Sequence, residues 1–158
     1  MNGQLARFQS LTSMKKFLFA LLLLVAMPAQ ALELLVVTAN WCPVCARWVA
    51  EGPEFYDDID LPLVKIDITA GIIENQEYLD HYWEGNIKRL YAVPTFIIWD
   101  EVNKREIVRW AGYHSEENWY EMLERAKLIA NQSVIDCEAT GLCKNFNIGP
   151  LPQNQPQD

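Results

Sequence analysis

Two cysteines separated by two residues, Cys42 and Cys45, stand where a short apolar run gives way to a helical pattern. The run Leu34-Leu35-Val36-Val37-Thr38 has the length and β-branched content of a buried strand. Pro43 suits the first turn of a helix, where its missing N–H leaves no hydrogen bond unmade. The spacing predicts a strand-to-helix junction with Cys42 at the helix N-terminus and Cys45 one turn further on the same side.

The position predicted for Cys42 favours a thiolate. Partial positive charge and unpaired N–H groups at a helix N-terminus lower the pKa of a cysteine thiol from about 8.5 to roughly 3.5–7.5. A thiolate attacks disulfides, and Cys45 is placed to resolve a mixed disulfide formed at Cys42. A zinc half-site and an inert structural disulfide are the alternatives, although the two histidines, His81 and His114, are isolated and far apart.

Residues 1–31 have the pattern of a secretory signal peptide. Lys15-Lys16 precede an apolar run from Phe17 to Met27, and Ala29-Gln30-Ala31 supplies a small-x-small cleavage site. The apolar run is too short to span a bilayer comfortably. Retention as an uncleaved N-terminal anchor is the alternative. We expect cleavage and export to a disulfide-permissive space such as a bacterial periplasm, without a membrane anchor afterwards.

The expected mature chain starts near Leu32 and is strongly acidic. Translation is expected to start at Met14, which makes residues 1–13 an upstream extension. The whole chain has 13 basic and 21 acidic side chains, and loss of the three basic ones in residues 1–31 gives a mature net charge of about −11. Such a charge does not favour binding to nucleic acid or to an anionic membrane surface.

The mature chain, about 127 residues, suits one small domain with the element order β-α-β-α-β-β-α. The predicted elements are strand 34–38, a helix from Pro43 to Gly52-Pro53, strand 61–68, helix 74–91 with a break or bend at Gly85-Asn86, strand 93–99, strand 106–110 closed by 111–113, and a helix from the Ser115 N-cap to Ala130. Five tryptophans fall on apolar faces and are expected in the core: Trp48, Trp83, Trp99, Trp110 and Trp119. His81 and His114 are expected at the surface or at helix caps.

The C-x-x-C junction, the Val93-Pro94-Thr95 that opens the third strand and this element order together resemble the thioredoxin superfamily, over roughly residues 33–130. The resemblance implies an α/β, thioredoxin-like fold with a central mixed four-stranded sheet flanked by helices. A C-terminal tail with two further cysteines follows this fold.

The same resemblance implies roles for individual residues. Cys42 and Cys45 would be the catalytic pair. Trp41 and Pro43 would shape the site, and a cis Val93-Pro94 bond would lie against the pair so that the backbone of Val93 can bind a substrate strand. An ordinary trans bond at Pro94 is the alternative.

The chain departs from thioredoxins proper at Val36, where they carry a buried acid. Lys65, which matches a family lysine beneath the site, therefore lacks its usual partner. We retain Lys65 as a candidate for supporting proton transfer from Cys45 and assign no general base. The dipeptide Pro43-Val44, in place of Gly-Pro, indicates a specialised exported relative.

A second cysteine pair, Cys137 and Cys143, lies beyond the predicted last helix, and Thr140-Gly141 allows the chain to turn back between them. We expect a structural disulfide; a second redox couple that exchanges electrons with the first is the alternative. Residues 144–158 are rich in Asn, Gln and Pro and predict a flexible end. The predicted division of the chain is signal peptide 1–31, thioredoxin-like domain 32–132 and tail 133–158.

The sequence thus favours an exported protein thiol-disulfide oxidoreductase that needs no organic cofactor and no metal. The short segment between the second strand and Pro94 leaves no room for the helical insertion of disulfide-forming oxidases, which favours a reductant. Its expected partners are protein thiols or disulfides and a membrane electron donor. A thioredoxin-like Cu(I) carrier or a redox-regulated binding module is the alternative.

Overall fold

The elements of the computed structural model, which describes residues 32–51 and 59–149, follow the predicted order. They are β1 (Leu32–Thr38), α1 (Pro43–Glu51), β2 (Leu63–Asp67), α2 (Gln76–Trp83), β3 (Thr95–Asp100), β4 (Arg105–Ala111), α3 (Glu116–Thr140) and β5 (Phe146–Asn147). The predicted signal peptide, the predicted helix end at Gly52-Pro53 and residues 150–158 lie outside the described residues.

One mixed sheet joins the five strands in the order β2-β1-β3-β4-β5. Strands β1 and β2 are parallel, as the intervening helix α1 requires, whereas β3 is antiparallel to both β1 and β4. Strand β1 lies inside the sheet and is buried on both faces, which explains its nearly continuous apolar sequence. This topology confirms the predicted thioredoxin-like fold class.

Alternate residues of β1 point to two separate hydrophobic clusters. Leu34 and Val36 belong to the cluster under α1 and α3, and Leu35 and Val37 to the cluster under α2. Four of the five tryptophans predicted in the core are buried: Trp48, Trp99, Trp110 and Trp119. The prediction is wrong for Trp83, which is 73% exposed because it is the last residue of α2 and lies past the packed face of that helix.

The second helix is shorter than predicted. Helix α2 ends at Trp83, and Gly85 adopts φ +82°, a left-handed conformation that a helix cannot continue through. Residues 84–94 form an irregular segment from which Ile87 still packs into the cluster under α2. His81 is also less exposed than predicted, because its ring lies 5.0 Å from that of Trp99.

The last helix is longer than predicted and a fifth strand follows it. Helix α3 continues past Ala130 to Thr140, because buried residues such as Val134 extend its apolar face, and Cys137 lies on the helix. The sequence prediction of a flexible end is wrong for residues 146–148. Residues Phe146–Asn147 pair in parallel with β4, and Ile148 is buried.

Candidate active site

Cys42 and Cys45 lie at the start of α1, joined as a disulfide with their Cα atoms 5.2 Å apart. Pro43 is the first helical residue, so Cys42 occupies the N-cap position. The backbone N–H of Cys45, at the third helical position, donates to Sγ of Cys42 at 3.1 Å. A serine or aspartate N-cap makes the same bond through oxygen, and a Cys42 thiolate would accept it as a charge-assisted hydrogen bond.

The segment before β3 forms the opposite side of the site. The Val93–Pro94 peptide bond is cis, and the Val93 carbonyl oxygen lies 3.4 Å from Sγ of Cys42. The Pro94 carbonyl accepts a hydrogen bond from the N–H of Gly112, and the hydroxyl of Thr95 donates to the Ala92 carbonyl. Gly112 has φ +88°, which favours glycine at this contact. Both bonds fix the segment on the end of the sheet.

A shallow groove of about 410 Å³ runs between these two segments. Its lining residues are Trp41, Cys42, Pro43, Ile68, Leu90, Tyr91, Ala92 and Val93. Both cysteines are buried, Cys42 at 5% and Cys45 at 2% exposed, but Cys42 lines the groove and Cys45 does not. A partner molecule in the groove would therefore meet Cys42 first.

Part of this groove was not predicted from the sequence. Ile68, Leu90, Tyr91 and Ala92 carry no motif of their own, but three of them directly precede the Val93-Pro94 step. The proximity of that step to the cysteine pair is the one signal that could have identified them. Trp41, which the sequence singled out, lies on the groove with 62% of its surface exposed.

Lys65 and Val36 are partners in the β1–β2 register. Val36 is fully buried and Lys65 is exposed, so the position where thioredoxins proper carry an acid is apolar here. The part that Lys65 plays in proton transfer stays a prediction.

Tyr113, two residues after β4, bonds the helix that carries the cysteine pair. Its hydroxyl donates to the Glu51 carboxylate, and its carbonyl accepts from the guanidinium of Arg47. Burial, then the hydrogen bond to Glu51 and the charge of that carboxylate, raise the pKa of the Tyr113 phenol well above its ordinary value.

The second cysteine pair, Cys137 and Cys143, is joined as a disulfide at the C-terminal end of α3, with Cα atoms 4.5 Å apart. Helix α3 begins only four residues after Gly112, which contacts Pro94. Cys137 therefore lies about 30 Å along the helix from its active-site end, at 1.5 Å per residue. The structure does not bring the two cysteine pairs together.

Within residues 32–51 and 59–149, no group of three or more His, Cys, Asp or Glu side chains is arranged to hold a metal ion. No helix in this part of the chain has both the length and the apolar content needed to cross a membrane.

Known proteins resemble the chain in structure rather than in sequence. No protein-family model matches it, and no curated protein matches it either. Among solved structures, it is similar to the reduced periplasmic thioredoxin SoxS from Paracoccus pantotrophus, at 24% identity and a TM-score of 0.48, over 63% of this chain and 98% of that one.

Two further solved structures are similar to a comparable degree. The thioredoxin from Aeropyrum pernix is 23% identical with a TM-score of 0.48, over 63% of this chain and 76% of that one. The reduced C-terminal domain of DsbD from Neisseria meningitidis is 20% identical with a TM-score of 0.46, over 73% of this chain and 96% of that one. The fold class rests on the strand order and register of the described residues, not on these overlaps.

Proposed function

We propose that this chain is an exported thiol-disulfide oxidoreductase that exchanges the Cys42–Cys45 disulfide with partner proteins. One observation carries the proposal. Sγ of Cys42 accepts a hydrogen bond from the N–H of Cys45 at a helix N-terminus and lines a groove, and the Val93 carbonyl lies on the opposite side of that groove. This arrangement would stabilise a thiolate at Cys42, which is 5% exposed, and would place it on the groove where a protein disulfide binds.

The proposed reaction moves two electrons from the reduced pair to the partner. The Cys42 thiolate attacks one sulfur of a partner disulfide, whose S–S bond breaks as a mixed disulfide forms and a partner thiolate leaves. Cys45 then loses its proton and its thiolate attacks Sγ of Cys42. The second partner sulfur leaves as a thiolate, and the Cys42–Cys45 disulfide is restored. A dithiol donor must reduce the pair again before the next cycle.

The reductant direction and the export are parts of the same proposal. One eight-residue helix, α2, separates β2 from β3, which supports a protein without the helical insertion of oxidases. The signal-peptide pattern of residues 1–31 supports a periplasmic location, with the 32–132 domain and the 133–158 tail as the mature protein. A membrane electron donor would supply the electrons.

A redox titration of the Cys42–Cys45 pair, combined with an insulin-reduction assay, tests the exchange reaction. We expect a two-electron equilibrium with glutathione and insulin reduction that the Cys42→Ser variant lacks. Stoichiometric Cu(I) binding without disulfide exchange would overturn the proposal in favour of a metal carrier. Wild-type protein and Cys42→Ser should share the same far-ultraviolet circular dichroism, so that lost activity reports chemistry.

Thiol trapping in intact cells tests the direction, and mass spectrometry of the purified protein tests the export. A reductant keeps Cys42 and Cys45 mostly reduced in the cell, whereas a mostly oxidised pair would show an oxidase. Export with cleavage predicts a mature chain that starts at Leu32. A chain that retains Met14 in the cell would contradict the predicted cleavage.

A further inference from the structure

A buried ion pair lies between the sheet and the segment that forms one wall of the groove. Glu106 and Arg109, both on β4, are joined through Nε of Arg109 and Oε1 of Glu106 at 2.6 Å, with a second contact to Oε2. Their side chains are only 2% and 11% exposed. A buried ion pair is weak evidence for stability by itself, so the contacts that this pair makes with other parts of the chain bear more on its role.

The β-bulge of β4 explains how these two side chains meet. Residues three apart in a regular strand point to opposite faces of the sheet. Here Ile98 pairs with Val108 and Trp99 pairs with Glu106, so Ile107 is an extra residue in β4. The extra residue brings Glu106 and Arg109 to one face.

Four hydrogen bonds join Glu106 and Arg109 to residues 86–89. The Lys88 N–H donates to Oε2 of Glu106 at 3.1 Å. The Arg109 guanidinium donates to the carbonyls of Arg89 and Lys88, each at 3.0 Å. The backbone N–H of Glu106 donates to the Asn86 carbonyl at 3.3 Å. The N–H groups of Asn86 and Ile87 also donate to the His81 carbonyl at the end of α2, so the bonds to Glu106 and Arg109 extend the anchoring of this irregular segment to Lys88 and Arg89.

The anchored residues lead directly into the groove wall. Leu90, Tyr91, Ala92 and Val93 follow Arg89 in the chain and line the groove opposite Cys42. Tyr91 is 83% exposed, and the Arg89 guanidinium lies 5.5 Å from the centre of its ring. Its placement therefore depends on the backbone on both sides of it, which the Arg109 bonds fix before it and the Thr95–Ala92 bond fixes after it. A fixed backbone matters for binding, because a wall that must be ordered by its partner binds that partner more weakly.

We infer that Glu106 and Arg109 are positioning residues that fix the 90–93 wall of the groove for the binding of a protein disulfide. This inference rests on the proposed function. It concerns how a polypeptide partner is held, not the chemistry at sulfur. Removal of the pair should therefore affect a protein substrate and spare a small disulfide that needs no groove.

The test compares two double variants, each of which removes a buried ion pair from the β3–β4 hairpin. Glu106→Leu with Arg109→Met removes the anchoring pair. Asp100→Leu with Arg105→Met removes a pair of similar burial, 5% and 12% exposed, whose Asp100 bonds Asn103 and whose Arg105 contacts Lys144. Removal of both charges avoids leaving either one buried and unpaired.

We expect the anchoring variant to raise the KM for insulin about tenfold with kcat little changed, and to react with the small disulfide DTNB at the wild-type rate. The control variant should match wild type in both assays. Hydrogen exchange at the Lys88 amide should be faster in the anchoring variant only. Equal insulin KM values for the two double variants would overturn the inference.

A milder variant keeps the inference testable if the anchoring double variant does not fold. The Arg109→Lys variant keeps the positive charge but lacks the planar guanidinium that reaches two carbonyls and a carboxylate at once. It should raise the insulin KM by a smaller factor than the double variant. An unchanged KM in the Arg109→Lys variant would overturn the inference. Failure of the proposed function has a different signature, because wild-type protein would then neither reduce insulin nor equilibrate with glutathione.

Discussion

The carbonyl oxygen of Val93 lies 3.4 Å from Sγ of Cys42, although the two residues are 51 positions apart in the chain. The contact brings the end of an irregular segment against the N-terminus of α1 and leaves one groove between them. A thiolate at Cys42 therefore has N–H groups of α1 on one side and a backbone carbonyl on the other. The reactivity of this thiolate depends on whether the N–H groups, which stabilise it, or the carbonyl, which destabilises it, have the larger effect.

The reactivity of Cys42 should depend on pH with a midpoint below 8.5. The helix N-terminus and the Cys45 N–H should stabilise the thiolate of the reduced protein, which is the form that reacts, so we expect the pKa of the Cys42 thiol below its ordinary value. The alkylation rate should then decrease as the pH is lowered through that pKa. Iodoacetamide alkylation of reduced Cys45→Ser protein between pH 4 and 10 measures this midpoint. Cys45 in the Cys42→Ser variant is the control, with a slower reaction because Cys45 does not line the groove. A midpoint for Cys42 at or above 8.5 would show that the carbonyl dominates.

The Tyr113→Phe variant should lose about 1 kcal/mol of stability at pH 7, because the hydrogen bond to Glu51 disappears. The folded-state pKa of Tyr113 is raised, so this contribution is fully present below the ordinary phenol pKa near 10.0 and is lost as pH rises above it. Urea unfolding of both proteins at pH 7 and above pH 10 measures the difference, which should shrink at the higher pH. Tyr91→Phe, whose side chain is 83% exposed, is the control with little effect at either pH. A difference that grows with pH would contradict this account.

The Cys137–Cys143 disulfide should stabilise the fold without taking part in disulfide exchange. Replacement of both cysteines by alanine removes a short loop closure and should cost about 2–3 kcal/mol on the chain-entropy model, by urea unfolding. Insulin reduction should be unchanged, because Cys137 lies at the far end of α3 from the groove. Lost insulin reduction in a folded variant would instead identify a second redox couple.

Local signals in the sequence were sufficient to predict the cysteine junction and the start of α3. Pro43 does begin a helix, and the Ser115 side chain does cap α3 by accepting the N–H of Asn118. Both signals depend on residues within one turn of the chain, where composition determines the available hydrogen bonds.

Non-local effects explain what the sequence did not reveal. The sequence predicts a break or bend at Gly85-Asn86, and the helix does end there, but the apolar spacing also suggests helix up to residue 91. Instead, Ile87 packs into the core from an irregular segment. Burial thus produced a helical pattern without a helix. Strand β5 is two residues long and depends on pairing with the outer edge of β4 and on the Cys137–Cys143 disulfide that precedes it. The Glu106–Arg109 pair depends on a bulge, which no periodicity in β4 discloses.

Trapping of mixed disulfides tests the central claim most directly. Reduced Cys45→Ser and Cys42→Ser proteins are each incubated with a disulfide-containing protein such as insulin, and covalent complexes are identified by non-reducing electrophoresis and mass spectrometry. We predict that Cys45→Ser accumulates a complex linked through Cys42, since the resolving thiol is missing, and that Cys42→Ser accumulates little. Complexes that form equally through Cys45, or none through Cys42, would contradict the account.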